Sequence, residues 1–293
     1  MLAVIFKQQL YIIFFNDHLP DDINFLSRLI AKIYSTIRLT IDFRLSMPRM
    51  ITMEKLYEGK AKILYQTDDP DILLTYYKDD ATAFNAQKRG QIVGKGEINC
   101  TVSTALFQWL ESLGIPTHYI DRPSSREMRV KAIKIIPLEV VVRNIAAGSL
   151  CKQTGLEEGK VLPFPLVEFY LKDDALGDPL LTPDRIKVID IASEEQVNQL
   201  RDLALQINQY LQEFFDKCQI ILVDFKLEFG VDKTGKIYLG DEISPDTCRL
   251  WDKTQEDAQA RILDKDRFRR DLGDVETAYQ QVQARVLQQI ESL

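Results

Sequence analysis

Val223-Asp224-Phe225-Lys226-Leu227-Glu228-Phe229 alternates without a break, apolar residues on one side and Asp224, Lys226 and Glu228 on the other. Alternation of period two is the pattern of a strand with one face in the core and one face open. The strand extends over residues 220–231. A second apolar run, Lys236–Glu242, follows across Asp232-Lys233-Thr234-Gly235, which reads as a hairpin turn. With a four-residue turn, Val231 pairs with Lys236, Glu228 lies opposite Leu239, and Lys226 lies opposite Asp241. Glu228 and Asp241 then become diagonal neighbours on the polar face. Two carboxylates so placed suit Mg²⁺, which takes one or two carboxylates together with phosphate oxygens and water. The same pattern also fits an exposed salt-bridge ladder with Lys226 between acids. A slip of one residue breaks the pairing.

Outward from the hairpin, helices and strands mix. Ser193-Glu194-Glu195-Gln196 is a capping box, opening a helix to about Lys217 with Val197, Leu200, Ala204, Ile207, Leu211 and Phe214 inward. Glu97–Leu113 reads as a helix with Ile98, Val102, Leu106, Leu110 and Leu113 on one stripe. Asp274–Ser292 reads as a third. Residues 54–65, 72–77 and 129–142 read as strands joined by short turns, which suggests antiparallel sheet. The whole is α+β.

The chain has 293 residues, 45% hydrophobic and 28% charged, with a net charge of −7. That balance excludes a mainly disordered chain, a fibrous repeat and a small disulfide scaffold, and nothing global favours nucleic acid or an acidic membrane. Residues 1–52 stand apart. They contain no Gly, Glu or Trp, and carry six Lys/Arg against four Asp. Lys7 splits their apolar stretch, so neither a secretory signal nor a membrane span fits. Met47, Met50 and Met53 offer alternative starts, and the expectation is an N-terminal extension produced by an upstream start or left disordered. Cys100, Cys151, Cys218 and Cys248 show no zinc-ligand spacing, and four scattered thiols point to a reducing cytoplasm. With only His18 and His118, a histidine metal site or a Ser-His-Asp hydrolase is not expected.

Several segments carry the means to hold anions. Lys60 and Lys62 flank Ala61 in a strand beside Gly59, so both ammonium groups emerge on one face, as a phosphate cradle or as a solvated surface. Gly90-Gln91-Ile92-Val93-Gly94-Lys95-Gly96 is one residue short of a Walker A loop, and Gly96 stands where Ser or Thr should hold magnesium. Arg143–Leu150 and Gly240–Asp252 combine small residues, Ser and Arg, which suits an anion pocket or a polar loop closed by a buried Trp.

Taken together, the stretches YEGKAKILY (57–65), KDDATAFNAQKRGQIVGKGEIN (78–99), PLEVVVRNIAAGSL (137–150), VEFYLKDDALGDPLLT (167–182), LVDFKLEFG (222–230), GDEISPDTCRLWDK (240–253) and LDKDRFRRDLG (263–273) closely resemble the SAICAR synthetases of purine biosynthesis. They run from Met53 to the C-terminal helix, and nothing in 1–52 matches. The resemblance implies a ligase that joins L-aspartate to the carboxylate of CAIR (5-amino-1-(5-phospho-D-ribosyl)imidazole-4-carboxylate) with ATP, through an acyl phosphate. It implies a β-rich nucleotide-binding part over 53–134 and a larger α+β part over 135–293, with an ATP-grasp- or kinase-like cleft between them. It further implies Lys60, Ala61, Lys62 and Lys172 around the nucleotide, and Glu228 and Asp241 on Mg²⁺. Arg143, Ser149 and Arg249 belong around CAIR, and Lys226 and Asp246 in the same cleft as catalytic residues. A homodimer in the cytoplasm completes the expectation. A small-molecule kinase with the same ATP cleft and an inactive nucleotide-binding protein are the rival readings.

Overall fold

The computed structural model describes residues 53–83 and 87–293, and Met53–Leu293 forms one compact unit. The expectations for residues 1–52 lie outside the described residues. In chain order the elements are β1 (Lys55–Glu58), β2 (Lys62–Gln66), β3 (Ile72–Tyr77), β4 (Asp80–Ala83), β5 (Lys88–Gln91), α1 (Lys95–Ser112), β6 (Tyr119–Ser124), β7 (Glu127–Lys131), β8 (Lys134–Ile145), α2 (Ser149–Thr154), β9 (Val161–Leu171), β10 (Leu180–Leu181), α3 (Pro183–Val188), α4 (Glu194–Lys217), β11 (Ile220–Val231), β12 (Ile237–Gly240), β13 (Cys248–Asp252), α5 (Asp266–Arg269) and α6 (Val275–Glu291).

These strands build two main antiparallel sheets and a separate β4–β5 hairpin. The first runs β1-β2-β3-β7-β6. The second runs β10-β9-β8-β11-β12, with β13 also paired to β11. The α+β class and antiparallel pairing expected from sequence are what the chain adopts. The sheets are tied together where the segment after α1 reaches β12. There the Leu239 amide donates to the Pro116 carbonyl at 2.9 Å and the His118 amide donates to the Leu239 carbonyl at 2.8 Å.

Helix α4 lies against the second sheet. All six residues of its expected stripe are buried, and Ser193 and Gln196 close both bonds of the capping box. Helix α1 is pressed between the first sheet and α6. Its stripe is buried from Ile98 to Leu110, but Leu113 is the C-cap and lies exposed, because the helix ends one residue before it.

The hairpin departs from the expected register by one residue. Val231 pairs with Ile237 and Glu228 with Gly240, so the loop has five residues and β12 stops at Gly240. Asp232 drives this. Its Oδ1 accepts from the Thr234 amide, the Thr234 hydroxyl and the Lys236 amide, which draws Lys236 into the turn. Lys60 also departs from expectation, since β2 begins only at Lys62 and Lys60 sits in the turn before it.

The look-alike phosphate loop has another use. Asp79 accepts from the Gly94 and Gly96 amides at 3.3 and 2.9 Å and is gripped from behind by Arg126. The N–H groups that a phosphate would need are therefore taken. Gly96 also passes so close to the Tyr77 carbonyl that an added Cβ would overlap it. Gly96→Ala is expected to lower stability by about 2 kcal/mol, read as a lower urea midpoint with an unchanged slope.

Candidate active site

Strand β11 aims Asp224, Lys226 and Glu228 at one face, and its neighbour β8 aims Arg143 and Glu139 at the same face, directly opposite Asp224 and Glu228. The apolar alternates Val223, Phe225, Leu227 and Phe229 are buried beneath. Two clefts lie over this polar surface. One, of about 550 Å³, opens beside Gly59-Lys60-Ala61-Lys62 and is lined also by Lys172, Lys226, Glu228 and Asp241. The other, of about 350 Å³, is lined by Arg143, Arg249, Asp224 and Arg269. Lys60, Lys226, Asp246 and Lys265 line both.

The first cleft holds a lattice of ammonium and carboxylate groups. Lys226 Nζ lies 2.6 Å from Glu228, 3.1 Å from Glu139 and 3.4 Å from Asp241. Lys62 Nζ pairs with Asp241 and lies 3.0 Å from Glu242, while Lys172 Nζ lies 2.5 Å from Glu228. Burial acts to lower the pKa of Lys62, but Asp241 and Glu242 outweigh it and hold the ammonium above the usual lysine range. For Lys226 burial is likewise outweighed, by Glu228, Asp241 and Glu139. Burial would raise Asp241, yet Lys62, Lys226 and Lys172 keep it well below the usual carboxylate range. Lys62, Lys226 and Asp241 are therefore charged at neutral pH.

Glu228 and Asp241 converge although the register differs from that expected. Asp241 lies beyond β12 with φ of +57°, a left-handed conformation that Asp tolerates better than most residues. That turn, and not strand alternation, brings its carboxylate to Lys226. Among the described residues no three His, Cys, Asp or Glu side chains form a metal-ligating group. The pair does fit Mg²⁺. Both carboxylates reach one ammonium within 3.4 Å, and this ion needs few protein ligands when phosphate supplies the rest.

The second cleft is built on arginines. Arg143 is buried, with Nε 2.7 Å from Glu168, Nη1 2.8 Å from Asp224 and Nη2 2.9 Å from the Ser149 hydroxyl. Ser149 thus meets the site through Arg143 and does not line either cleft. Arg249 bridges Asp224 at 2.7 Å and Asp266 at 2.9 Å. Gly148 makes room for it, since a Cβ there would fall 2.7 Å from the guanidinium carbon.

Between the clefts, Asp246 accepts from Lys95 at 2.9 Å and from the Tyr279 hydroxyl at 2.5 Å, with Lys265 3.5 Å away. Burial would raise Asp246, but Lys265, Lys95 and Tyr279 hold it far below the usual range. His118 is buried with its ring edge-on to Phe107, and burial, aided by Lys62, lowers it to about 3, so it is neutral.

Sequence reading did not single out Lys95, Glu242, Lys265 or Arg269. Lys95 was hidden by the failed phosphate-loop pattern. Lys265 and Arg269 carry a usable signal, two cations four residues apart, which share a helix face.

Behind the arginines, the buried Asp264 accepts from the Leu250 and Asp266 amides at 2.8 and 2.7 Å. Burial and the neighbouring Asp266 push Asp264 up to about 7. Burial acts upward on Asp266 too, but Arg249 and Arg269 bring it down to about 2. A carboxyl raised in the folded state favours folding fully below its unfolded pKa, and that contribution is lost as pH rises through the folded value. Relative to the wild type, Asp264→Asn is therefore expected to gain stability between pH 5 and pH 8, by about 1–3 kcal/mol. Paired urea titrations across that range check it, and a flat difference rules it out.

Residues 55–286 match the family model for SAICAR synthetase. The chain is 72% identical over 242 residues to a phosphoribosylaminoimidazole-succinocarboxamide synthase of Synechocystis sp., covering 83% of this chain and 92% of that protein. It is similar to the crystal structure of the same synthase from Ehrlichia chaffeensis, with a TM-score of 0.77 and 42% identity, over 80% of this chain and 98% of that one. A SAICAR synthetase solved in complex with ADP gives a TM-score of 0.75 at 47% identity, over 78% of this chain and 96% of that one.

Proposed function

The chain belongs to the SAICAR synthetase family, and from that premise we propose how its residues divide the labour of the ligase reaction. The protein is an ATP-dependent ligase of purine biosynthesis that joins L-aspartate to the carboxylate of CAIR. A carboxylate is a poor electrophile until one oxygen becomes a leaving group. In the proposed course, a CAIR carboxylate oxygen bonds to the γ-phosphorus of ATP and ADP departs. The aspartate nitrogen then bonds to the acyl carbon, the C–O bond to phosphate breaks, and phosphate leaves with the electron pair. The aspartate ammonium gives up two protons on the way to the amide N–H.

The first cleft takes ATP. Lys60, Lys62 and Lys172 receive its phosphates, with Ala61 against the nucleotide. Glu228 and Asp241 hold Mg²⁺, which when bound neutralises phosphate charge and stabilises the departing ADP. The second cleft takes CAIR, its phosphate and carboxylate met by Arg143 and Arg249, with Ser149 fixing Arg143. Lys226 and Asp246 sit where phosphoryl donor and acceptor must meet. Lys226 receives the oxygens in transfer, and Asp246 fixes the cations around it. Residues 53–134 act as the nucleotide-binding part over 135–293, in a homodimer of the cytoplasm. Among the described residues no helix is long and apolar enough to cross a membrane.

One observation carries this reading. The two clefts share a wall, and their charges differ. The first sets six lysines against seven carboxylates, whereas the second sets six basic side chains against three. The first suits phosphates that arrive with a divalent cation, and the second suits bare anions.

ADP release, measured with ATP, Mg²⁺, CAIR and L-aspartate and each omitted in turn, is expected to need all four and to match product formation. Release that ignores aspartate would point to a kinase. Glu228→Gln and Asp241→Asn are each expected to lower turnover at least a hundredfold while leaving the thermal unfolding transition cooperative. Near-normal magnesium-dependent turnover in both would sink the metal assignment.

A further inference from the structure

In the division of labour proposed above, Lys62 meets ATP phosphates while Asp241, the carboxylate it pairs with, goes to Mg²⁺. A lysine ammonium rides on a flexible stem, and one that loses its partner loses its direction. Something other than Asp241 must then keep Lys62 aimed at the phosphates.

Glu242 meets that need and has no other assignment. It lines the first cleft, and its Oε1 lies 3.0 Å from Lys62 Nζ with only 4% of its side chain exposed. Its second oxygen, Oε2, accepts from the Ser244 hydroxyl at 2.6 Å. The Ser244 oxygen in turn accepts from the Asp246 amide at 3.1 Å, and Ser244 is buried. Between them, the Ile243 carbonyl accepts from the Ser103 hydroxyl of α1 at 3.1 Å. Glu242 therefore has one oxygen on the lysine, the other on a hydroxyl, and a backbone pinned from behind. Asp241 is held differently. Its two oxygens face Lys62 and Lys226, and 18% of its side chain is exposed. An arriving cation can replace ammonium groups on a carboxylate, because it supplies the charge they take away. It has no such exchange to offer a carboxylate fixed by a neutral hydroxyl in a buried place.

We infer that Glu242, braced by Ser244, is the positioning residue for Lys62 and keeps its ammonium on the ATP phosphates once Asp241 turns to Mg²⁺. In this role Glu242 touches neither substrate nor metal. Through Ser244 the same brace reaches the amide of Asp246, so the aim of a phosphate-binding lysine is tied to the wall that the two clefts share. The inference rests on the assignment of ATP and Mg²⁺ to the first cleft.

A double-mutant cycle on nucleotide binding tests it, with ATP and Mg²⁺ titrated calorimetrically into the full chain in the absence of CAIR and aspartate. Glu242→Gln is expected to weaken binding at least tenfold. In a Lys62→Met background the same change should alter binding by less than threefold, since Glu242 acts through Lys62. Ser244→Ala should weaken binding at least threefold in the wild type and leave Glu242→Gln unaltered. Losses from Glu242→Gln and Lys62→Met that simply add overturn the inference, because Glu242 then serves the metal or the fold without the lysine. Binding by Glu242→Gln within threefold of the wild type overturns it too. If Glu242→Gln does not fold, Ser244→Ala is carried through the same cycle with Lys62→Met and decides alone. Asp241→Asn that binds ATP with an undiminished response to Mg²⁺ is a separate result, which removes the metal assignment and this inference with it.

Discussion

The contact on which the site depends is the bridge that Lys226 makes between Glu228 and Asp241. A charge held away from water is costly unless it is paired, and Glu228 is almost wholly buried while Lys226 and Asp241 are largely so. Lys226 and Asp241 hold one another ionised, and the same reciprocity fixes the backbone. Asp241 accepts a left-handed conformation because Lys62 and Lys226 both draw its carboxylate inward. The lattice also joins the two sheets, since Lys62 starts β2 while its partners lie just beyond β12. Breaking one pair would strand a charge and loosen the approach of one sheet to the other.

A lattice of this kind has a functional use that an apolar filling would lack. Lysines held on carboxylates can be handed to phosphate oxygens without passing through a bare state, provided a divalent cation takes their place on the carboxylates. Both conditions of the cleft are then close to charge balance. The second cleft works differently. Its arginines are already braced by Asp224, Glu168 and Asp266, which fixes their direction before any ligand arrives. Bracing of this sort reduces the ordering cost of binding a planar anion.

Much of this was legible in the chain. The alternation around Asp224, Lys226 and Glu228 gives both the strand and its polar face, because a period of two leaves no other arrangement. The capping box at Ser193 marks the start of its helix, since it uses only local bonds. Register was less accessible. The Asp232 side chain, by binding the Lys236 amide, adds a residue to the loop, and hydropathy carries no trace of that bond. The pairing of Glu228 with Asp241 survives for a reason the pattern could not supply, a backbone dihedral at Asp241. Lys60 shows the same limit, as alternation across a turn looks like alternation along a strand. Lys265 and Arg269 were visible as types and spacing, but that Lys265 lines both clefts and Arg269 the second is a matter of tertiary structure.

Gly94-Lys95-Gly96 shows how little a motif says without its surroundings. A lysine between glycines at a helix start can serve phosphate if the amide N–H groups stay open and the ammonium points outward. Here Asp79 occupies the amides, and Lys95 turns inward to Asp246. The lysine therefore binds no ligand, yet it is not idle. By claiming Asp246 at the closer distance, it denies Lys265 a dedicated partner, 2.9 Å against 3.5 Å. A residue at the first turn of α1 thereby sets the charge of the junction from behind. Lys95 and Lys265 thus share one buried carboxylate, and the charge balance at the shared wall depends in part on a side chain that lines neither cleft.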